Sequence, residues 1–159
     1  MKKVILIFVT IVLSGLLYAK DNKSTDALLR EIDGIIKNRQ TYGAEKEARI
    51  ADLKKLLAEA TSDEQRYGFC GRLFDEYRAY NLDSSFVYAQ RKEELAHRLN
   101  KQDYLDDSAM NMAEVMGTTG MYKEALELLG QIDKKTLPDY LYGYYYHLYR
   151  TIYGLMGEY

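Results

Sequence analysis

The sequence predicts an all-α protein, an antiparallel helix-turn-helix array preceded by a long N-terminal helix. Two observations predict this class. Apolar residues recur at steps of three and four along almost the whole chain, which is typical of amphipathic helices. Alternating β-branched runs, which would indicate strands, are absent from the sequence. The length of 159 residues suits one domain, and no Gly/Ser-rich or Pro-rich linker indicates a second.

The first 19 residues differ from the rest of the chain. Lys2 and Lys3 precede an apolar run at residues 4–17, and Ala19 is a small residue suited to cleavage. The run is shorter than the ~20 residues that a membrane-spanning helix needs. We therefore interpret residues 1–19 as a cleaved signal peptide rather than a retained anchor. The sequence predicts an exported protein on the periplasmic side of the inner membrane, and the lack of a cysteine at the cleavage site argues against a standard lipoprotein.

Residues 20–60 are predicted to form the long N-terminal helix. Ser24, Thr25 or Asp26 can cap its start. Gly43 weakens a helix by ~1 kcal/mol relative to alanine, so we expect a bend there. Because no repeat pattern is visible in this helix, we expect it to cap the array.

Five shorter helices follow in the prediction. Ser62 with Gln65 forms a capping-box pattern at the start of the first. Pro138 is a good opening residue for the last. The spacing predicts helices over residues 62–80, 83–99, 103–116, 122–132 and 138–156.

A short pattern recurs within this array. Gly120-Met121-Tyr122 and Gly157-Glu158-Tyr159 are 37 residues apart, and each follows a predicted helix. This pattern resembles the tetratricopeptide repeat (TPR), a helix-turn-helix unit of about 34 residues. The resemblance implies a TPR-like α-solenoid over residues 61–159, with the last repeat incomplete. The residues that match the repeat signature are Gly120, Tyr122, Ala125, Pro138, Gly157 and Tyr159.

The order of segments supports a closer resemblance. The signal peptide is followed by "LLREIDGIIKNRQTYGAEKEARIADLKKLL", "DEYRAYNLDSSFVYAQRKEELA" and "MYKEALELL". This order resembles the exported N-terminal TPR region of a Bacteroidetes family of transmembrane transcriptional regulators. The resemblance implies the sensor portion, or a truncated form, of a protein whose membrane helix and cytoplasmic output region lie outside this sequence. DNA binding by that region is therefore not expected of this chain.

Composition and motifs argue against several functions. The net charge of -2 gives no basic surface for nucleic acid. Glu94-x-x-His97 lacks the second copy that a di-iron site needs, so no metal is expected. Asp106 and Asp107 are interpreted as a solvated helix start, and Cys70 as a small apolar residue within a helix. Without a catalytic motif or a cofactor motif, the sequence predicts a non-enzyme without a cofactor.

Tyrosine is the most unusual feature of the composition, because half of the 16 tyrosines follow Asp139. Four of them form one helical stripe: Tyr142, Tyr146, Tyr149 and Tyr153. They are interpreted either as packing residues that await a next helix or as a stacking platform for sugars or peptide side chains. Exposed, the stripe would favour self-association through an open C-terminal end.

The sequence as a whole predicts a module that binds a protein or peptide. The alternative is a glycan-binding helical-repeat protein of the nutrient-uptake type. Contact with a membrane is expected only through the signal peptide or a C-terminal segment outside this sequence.

Overall fold

The computed structural model describes residues 25–157, and every regular element in this range is an α-helix. This confirms the predicted all-α, TPR-like helical array. Within the described range, no helix combines the length and hydropathy needed to cross a membrane. The helices are α1 (residues 25–37), α2 (Arg39–Glu59), α3 (Asp63–Tyr77), α4 (Leu82–Leu99), α5 (Gln102–Thr118), α6 (Tyr122–Gly130) and α7 (Asp139–Gly157).

The chain divides into two units, Met1–Lys46 and Glu47–Tyr159. In the described part of the first unit, the interruption between α1 and α2 lies at Asn38. The amide of Asn38 donates to the Gly34 carbonyl at 3.1 Å, and the Tyr42 amide donates to Asn38 at 3.1 Å. The predicted single long helix is therefore interrupted at Asn38, whereas Gly43, the predicted position of a bend, lies within α2. Glycine lowers helix propensity without preventing a helical backbone.

Local hydrogen bonds determine where the helices of the second unit begin. The hydroxyl of Ser62 accepts from the Gln65 amide at 3.2 Å at the start of α3. The Gln65 side chain accepts from the Thr61 amide at 2.9 Å. Asn81 accepts from the Ser84 amide at 2.8 Å at the start of α4. These caps satisfy amides that have no partner within their own helix.

The turn between α5 and α6 explains why a glycine stands at position 120. Gly120 has φ of 84°, in the left-handed region that favours glycine. Its amide donates to the Gly117 carbonyl at 3.2 Å, and the Met121 amide donates to Met116 at 2.8 Å. This pair of bonds is a Schellman motif, which ends α5 and allows α6 to begin at Tyr122, two residues after Gly120.

Two apolar clusters form the core of the second unit, and α5 contributes to both. The first cluster joins α2, α3, α4 and α5 around Leu73, Phe74 and Ala89. The second joins α5, α6 and α7 around Leu129 and Tyr145. Since α5 lies between the clusters, residues on its different faces meet different neighbours.

Candidate interaction sites

A buried lysine lies at the centre of a connected group of polar side chains. Lys92 of α4 is only 5% exposed and follows Tyr88 and Ala89 on the buried side of its helix. Its Nζ donates to Asp107 Oδ2 at 2.7 Å and to Asn111 Oδ1 at 2.6 Å, both on α5. A buried charge is strongly unfavourable unless it is paired and hydrogen-bonded, and these contacts supply both conditions.

Tyr67 of α3 closes one side of this group. Its hydroxyl donates to Asp107 Oδ2 at 2.7 Å. Its ring lies below Lys92, with Nζ 4.9 Å from the centroid, and stacks on Tyr104 at 4.2 Å. Burial, together with the Asp107 charge, raises the pKa of Tyr67 well above its ordinary value. Tyr67 therefore remains a neutral donor throughout the physiological range.

The group extends in the other direction to α7. Asn111 Nδ2 donates to the Tyr144 hydroxyl at 3.0 Å, and Tyr144 donates to Glu114. Glu114 in turn accepts from Arg78 of α3 at 3.3 Å. Burial and the Glu114 carboxylate raise the pKa of Tyr144. One chain of polar contacts thus joins α3, α4, α5 and α7, and we refer to it as the Lys92 network.

The network borders a hollow of about 250 Å³, here called the polar hollow. Gly71 has no side chain to fill it: an added Cβ would lie 3.5 Å from Lys92 Cε. Its donors and acceptors are held at fixed positions by four helices, so they can orient a polar ligand. The lining residues are Gly71, Asp75, Arg78, Lys92, Asp107, Asn111 and Tyr144.

A second hollow, of about 330 Å³, lies beside α4, α5 and α6, and we call it the acidic hollow. Asp106 in its wall is only 4% exposed. The Oδ1 atom accepts from Gln102 Nε2 at 2.8 Å. The Oδ2 atom is buried and has no hydrogen-bond partner among residues 25–157. The lining residues are Glu93, His97, Gln102, Leu105, Asp106, Ser108, Ala109, Leu128, Gln131 and Ile132.

A third hollow, of about 650 Å³, is mainly apolar. It lies between the start of α4 and the end of α5. Three of its apolar side chains are substantially exposed: Phe86, Val87 and Met121. An exposed apolar surface of this kind is common at protein interfaces.

The predicted tyrosine stripe on α7 divides into two kinds of residue. Tyr146 and Tyr153 are 54% and 58% exposed. Tyr142 and Tyr149 are half-buried and pack against the second core cluster. Tyr142 stacks on Tyr146 at 6.3 Å, and Tyr149 stacks on Tyr153 at 6.2 Å. The buried residues of α7 are Leu141, Tyr145, Leu148 and Ile152.

The residues of the repeat signature lie at turns and close helix contacts. Gly120 forms the left-handed turn described above, and Tyr122 begins α6. Ala125 is fully buried, and Pro138 directly precedes α7. Gly157 is the last residue of α7, whereas Tyr159 lies outside the described residues, as does the predicted signal peptide.

The interpretation of Asp106 and Asp107 as a solvated helix start is wrong. Asp106 is buried, and Asp107 has only a quarter of its side chain exposed because it pairs with Lys92. Glu94 and His97 are exposed on α4. In the described part of the chain, no three His, Cys, Asp or Glu side chains are grouped closely enough to hold a metal ion.

Cys70 is buried in the first core cluster. Burial raises the pKa of its thiol. Since the thiolate is the reactive form, this thiol is poorly suited to redox or nucleophilic chemistry.

The Lys92 network was missed by the sequence analysis. Lys92 stands where the apolar stripe of α4 requires an inward residue, between Ala89 and Leu95. Asp107 and Asn111 are four residues apart on one face of α5. A charged residue at an inward position is the pattern that could have indicated a buried ion pair.

Comparison with known protein families gave one match. The family described as the SusR N-terminal TPR domain matches residues 36–159, more than three quarters of the chain. The match confirms the resemblance to the N-terminal TPR region of a Bacteroidetes regulator. No curated protein and no solved structure matched the chain.

Proposed function

We propose that this chain, which belongs to the family of SusR N-terminal TPR domains, is a non-enzymatic module that binds a protein or peptide. TPR domains in general are non-catalytic and mediate protein–protein interaction. The finer proposal is that this chain is the exported sensor portion of a membrane-spanning regulatory protein.

The observation that carries the binding proposal is the polar hollow, since side chains from four helices converge on it. Two of its residues can pair with a ligand while the Lys92 network stays intact. The Asp75 side chain is 65% exposed. The guanidinium group of Arg78 has five N–H donors, of which the contacts with Glu114 and Asp75 use only part. Together they offer an acceptor and donors to a polypeptide backbone.

Site-specific photo-crosslinking in cells tests this proposal. A photoreactive amino acid at Asp75 should form a covalent adduct with a polypeptide, and Arg78→Ala should weaken that adduct. The same amino acid at Glu124, an exposed position on α6 outside all three hollows, is the matched control. Equal adducts at both positions, or none at Asp75, would contradict binding in the polar hollow.

Export is supported by the basic and apolar pattern of residues 1–19. Alkaline phosphatase fused after Gly157 should be active in cells, because this enzyme needs the oxidising conditions outside the cytoplasm. Deleting residues 1–19 should remove that activity. An inactive fusion, or one unaffected by the deletion, would rule out export by this segment.

The sensor role predicts that ligand binding alters transcription. In the source organism, Arg78→Ala should change the set of transcribed genes in the same direction as deletion of the whole regulator. An unchanged transcript profile, with the variant protein present at normal levels, would contradict the role.

The exposed rings of α7 favour a second candidate function, glycan binding. Tyr146 and Tyr153 each stack on a half-buried neighbour, and exposed aromatic faces can stack on sugar rings. An oligosaccharide titration that saturates with the native chain and fails with Tyr146→Ala would favour this function. Concentration-dependent sedimentation that disappears in the same variant would instead indicate self-association through α7.

A further inference from the structure

We propose that the acidic hollow binds a basic side chain, an ammonium or a guanidinium group, of a bound polypeptide. The inference rests on the proposed function for the source of that side chain. It concerns a different surface from the polar hollow. Asp106 and Asp107 are consecutive on α5, so their side chains project about 100° apart around the helix.

The unpartnered oxygen of Asp106 is the first reason. A carboxylate is an acceptor on both oxygens, and a buried acceptor without a donor is strongly unfavourable. The Gln102 amide satisfies Oδ1, while Oδ2 has no partner within the described range. A ligand with N–H donors would supply the missing hydrogen bond to Oδ2, and a positively charged donor would form the strongest one.

The charges in the hollow indicate a cation. Asp106 and Glu93 both contribute carboxylates, whereas the ten lining residues include no lysine or arginine. His97 and Gln131 add polar groups at the wall. A positively charged group in this hollow would therefore meet two carboxylates and no lysine or arginine side chain in the lining.

The size and floor of the hollow suit a long side chain. A volume of about 330 Å³ is at the lower end of the ~300–1,000 Å³ typical of ligand pockets. Lysine and arginine bury their methylene stems against apolar surface while the charged end finds a polar partner. The apolar part of the lining consists of Leu105, Ala109, Leu128 and Ile132.

Access to Asp106 depends on Gln102. Gln102 is exposed at the first position of α5, and its side-chain amide donates to Asp106 Oδ1. Rotation of this side chain would replace one neutral N–H donor with the donors of the incoming group. A guanidinium group could then contact both carboxylate oxygens in a bidentate pair.

An NMR titration tests the inference on the purified ¹⁵N-labelled chain. The probes are N-acetyl-arginine methylamide and N-acetyl-lysine methylamide, with N-acetyl-norleucine methylamide as the neutral control. At least one basic probe should shift the Gln102 side-chain amide and the backbone amides of Ala109 and Gln131, with saturation. The norleucine probe should cause no saturable shift at these positions.

Three variants identify the site. Asp106→Asn should weaken binding of the basic probe by at least about tenfold, because the charged partner is lost. Glu93→Gln should weaken it less and covers the case that Asp106→Asn fails to fold. Glu124→Gln removes the same charge from an exposed position on α6 and should bind like the native chain.

The inference is overturned if no basic probe saturates, if norleucine amide binds equally well, or if neither Asp106→Asn nor Glu93→Gln weakens binding. Crosslinking at Asp75 is independent of this result. A negative titration with a positive crosslink would remove only the acidic hollow, whereas the reverse would remove only the polar one.

Discussion

Two consecutive carboxylates on α5 have opposite surroundings. Asp107 accepts from Lys92 and from Tyr67, each at 2.7 Å, so its charge is balanced within the protein. Asp106 is more deeply buried, yet one of its oxygens has no partner among the described residues. Burial alone therefore does not identify a structural residue. The number of partners distinguishes a carboxylate that holds the array together from one that remains available to a ligand.

The largest expected effect on stability comes from removing Lys92, the cation that pairs with Asp107. Lys92→Ala should lower the free energy of unfolding by about 3–5 kcal/mol, because it leaves Asp107 partly buried without its partner. Urea denaturation measures this change. The double variant Lys92→Met/Asp107→Leu, which removes both charges, should be closer to the native chain. A loss below about 1 kcal/mol for Lys92→Ala would show that the ion pair is not structural.

Tyr67→Phe tests the second contact of Asp107, because it removes the hydroxyl that donates to this carboxylate. At neutral pH it should lower the free energy of unfolding by about 1.5–3 kcal/mol, the range for a hydrogen bond to a charged group.

The pH dependence gives an independent measure of Tyr67. Because the folded pKa of Tyr67 is raised above its ordinary value of 10.0, its contribution is fully present below pH 10 and is lost as the pH rises beyond it. The native chain should therefore lose stability above pH 10 more steeply than Tyr67→Phe does. Urea unfolding between pH 8 and pH 11 compares them, with Tyr146→Phe as an exposed control. Equal slopes for the native chain and Tyr67→Phe would contradict the buried hydroxyl.

Gly71→Ala separates stability from binding at the polar hollow. An added Cβ would lie 3.5 Å from Lys92 Cε, an ordinary van der Waals distance, and alanine is the better helix former. We expect the free energy of unfolding to rise by about 0.5–1 kcal/mol, while the filled hollow forms less crosslinked product at Asp75.

Gly117→Ala is the matched control for that change. Its Cβ would lie 2.9 Å from Ile152 Cγ1, which is too close, so this variant should be destabilised by about 1–3 kcal/mol. Thermal unfolding of both variants gives the comparison. If both substitutions changed the free energy of unfolding in the same direction, the account of the different space around the two glycines would be wrong.

The smallest effect is expected on the outer face of α7. Tyr146→Ala should change the free energy of unfolding by no more than about 0.5 kcal/mol, since the ring is exposed. Tyr145→Ala, on the buried face of the same helix, should lower it by about 3–5 kcal/mol. A large loss for Tyr146→Ala would mean that the outer stripe is part of the core.

The fold could be predicted because helix formation and burial follow local periodicity. The expected helix at residues 103–116 is observed at Gln102–Thr118. The helix expected to reach Ile132 ends at Gly130, because the amides of Gln131 and Ile132 donate to carbonyls only three residues back. The interruption of the long N-terminal helix at Asn38 could not be predicted, because a glycine weakens a helix without deciding where it is interrupted.

The candidate sites could not be predicted to the same extent. Lys92 and Asn111 are 19 residues apart, and their pairing depends on how α4 packs against α5. Asp106 and Asp107 look alike in the sequence, because only the positions of α3 and α4 decide which one finds a partner on another helix. Three-dimensional geometry, rather than residue type, separates them.

The most direct test replaces each of the two carboxylates by the isosteric amide and measures two quantities on each variant. Asp107→Asn should lose stability in urea and keep its affinity for the basic amino-acid amide. Asp106→Asn should keep or gain stability and lose that affinity. If both variants lost both properties, or if the pattern were reversed, the division of α5 into a structural and a ligand-binding face would be contradicted.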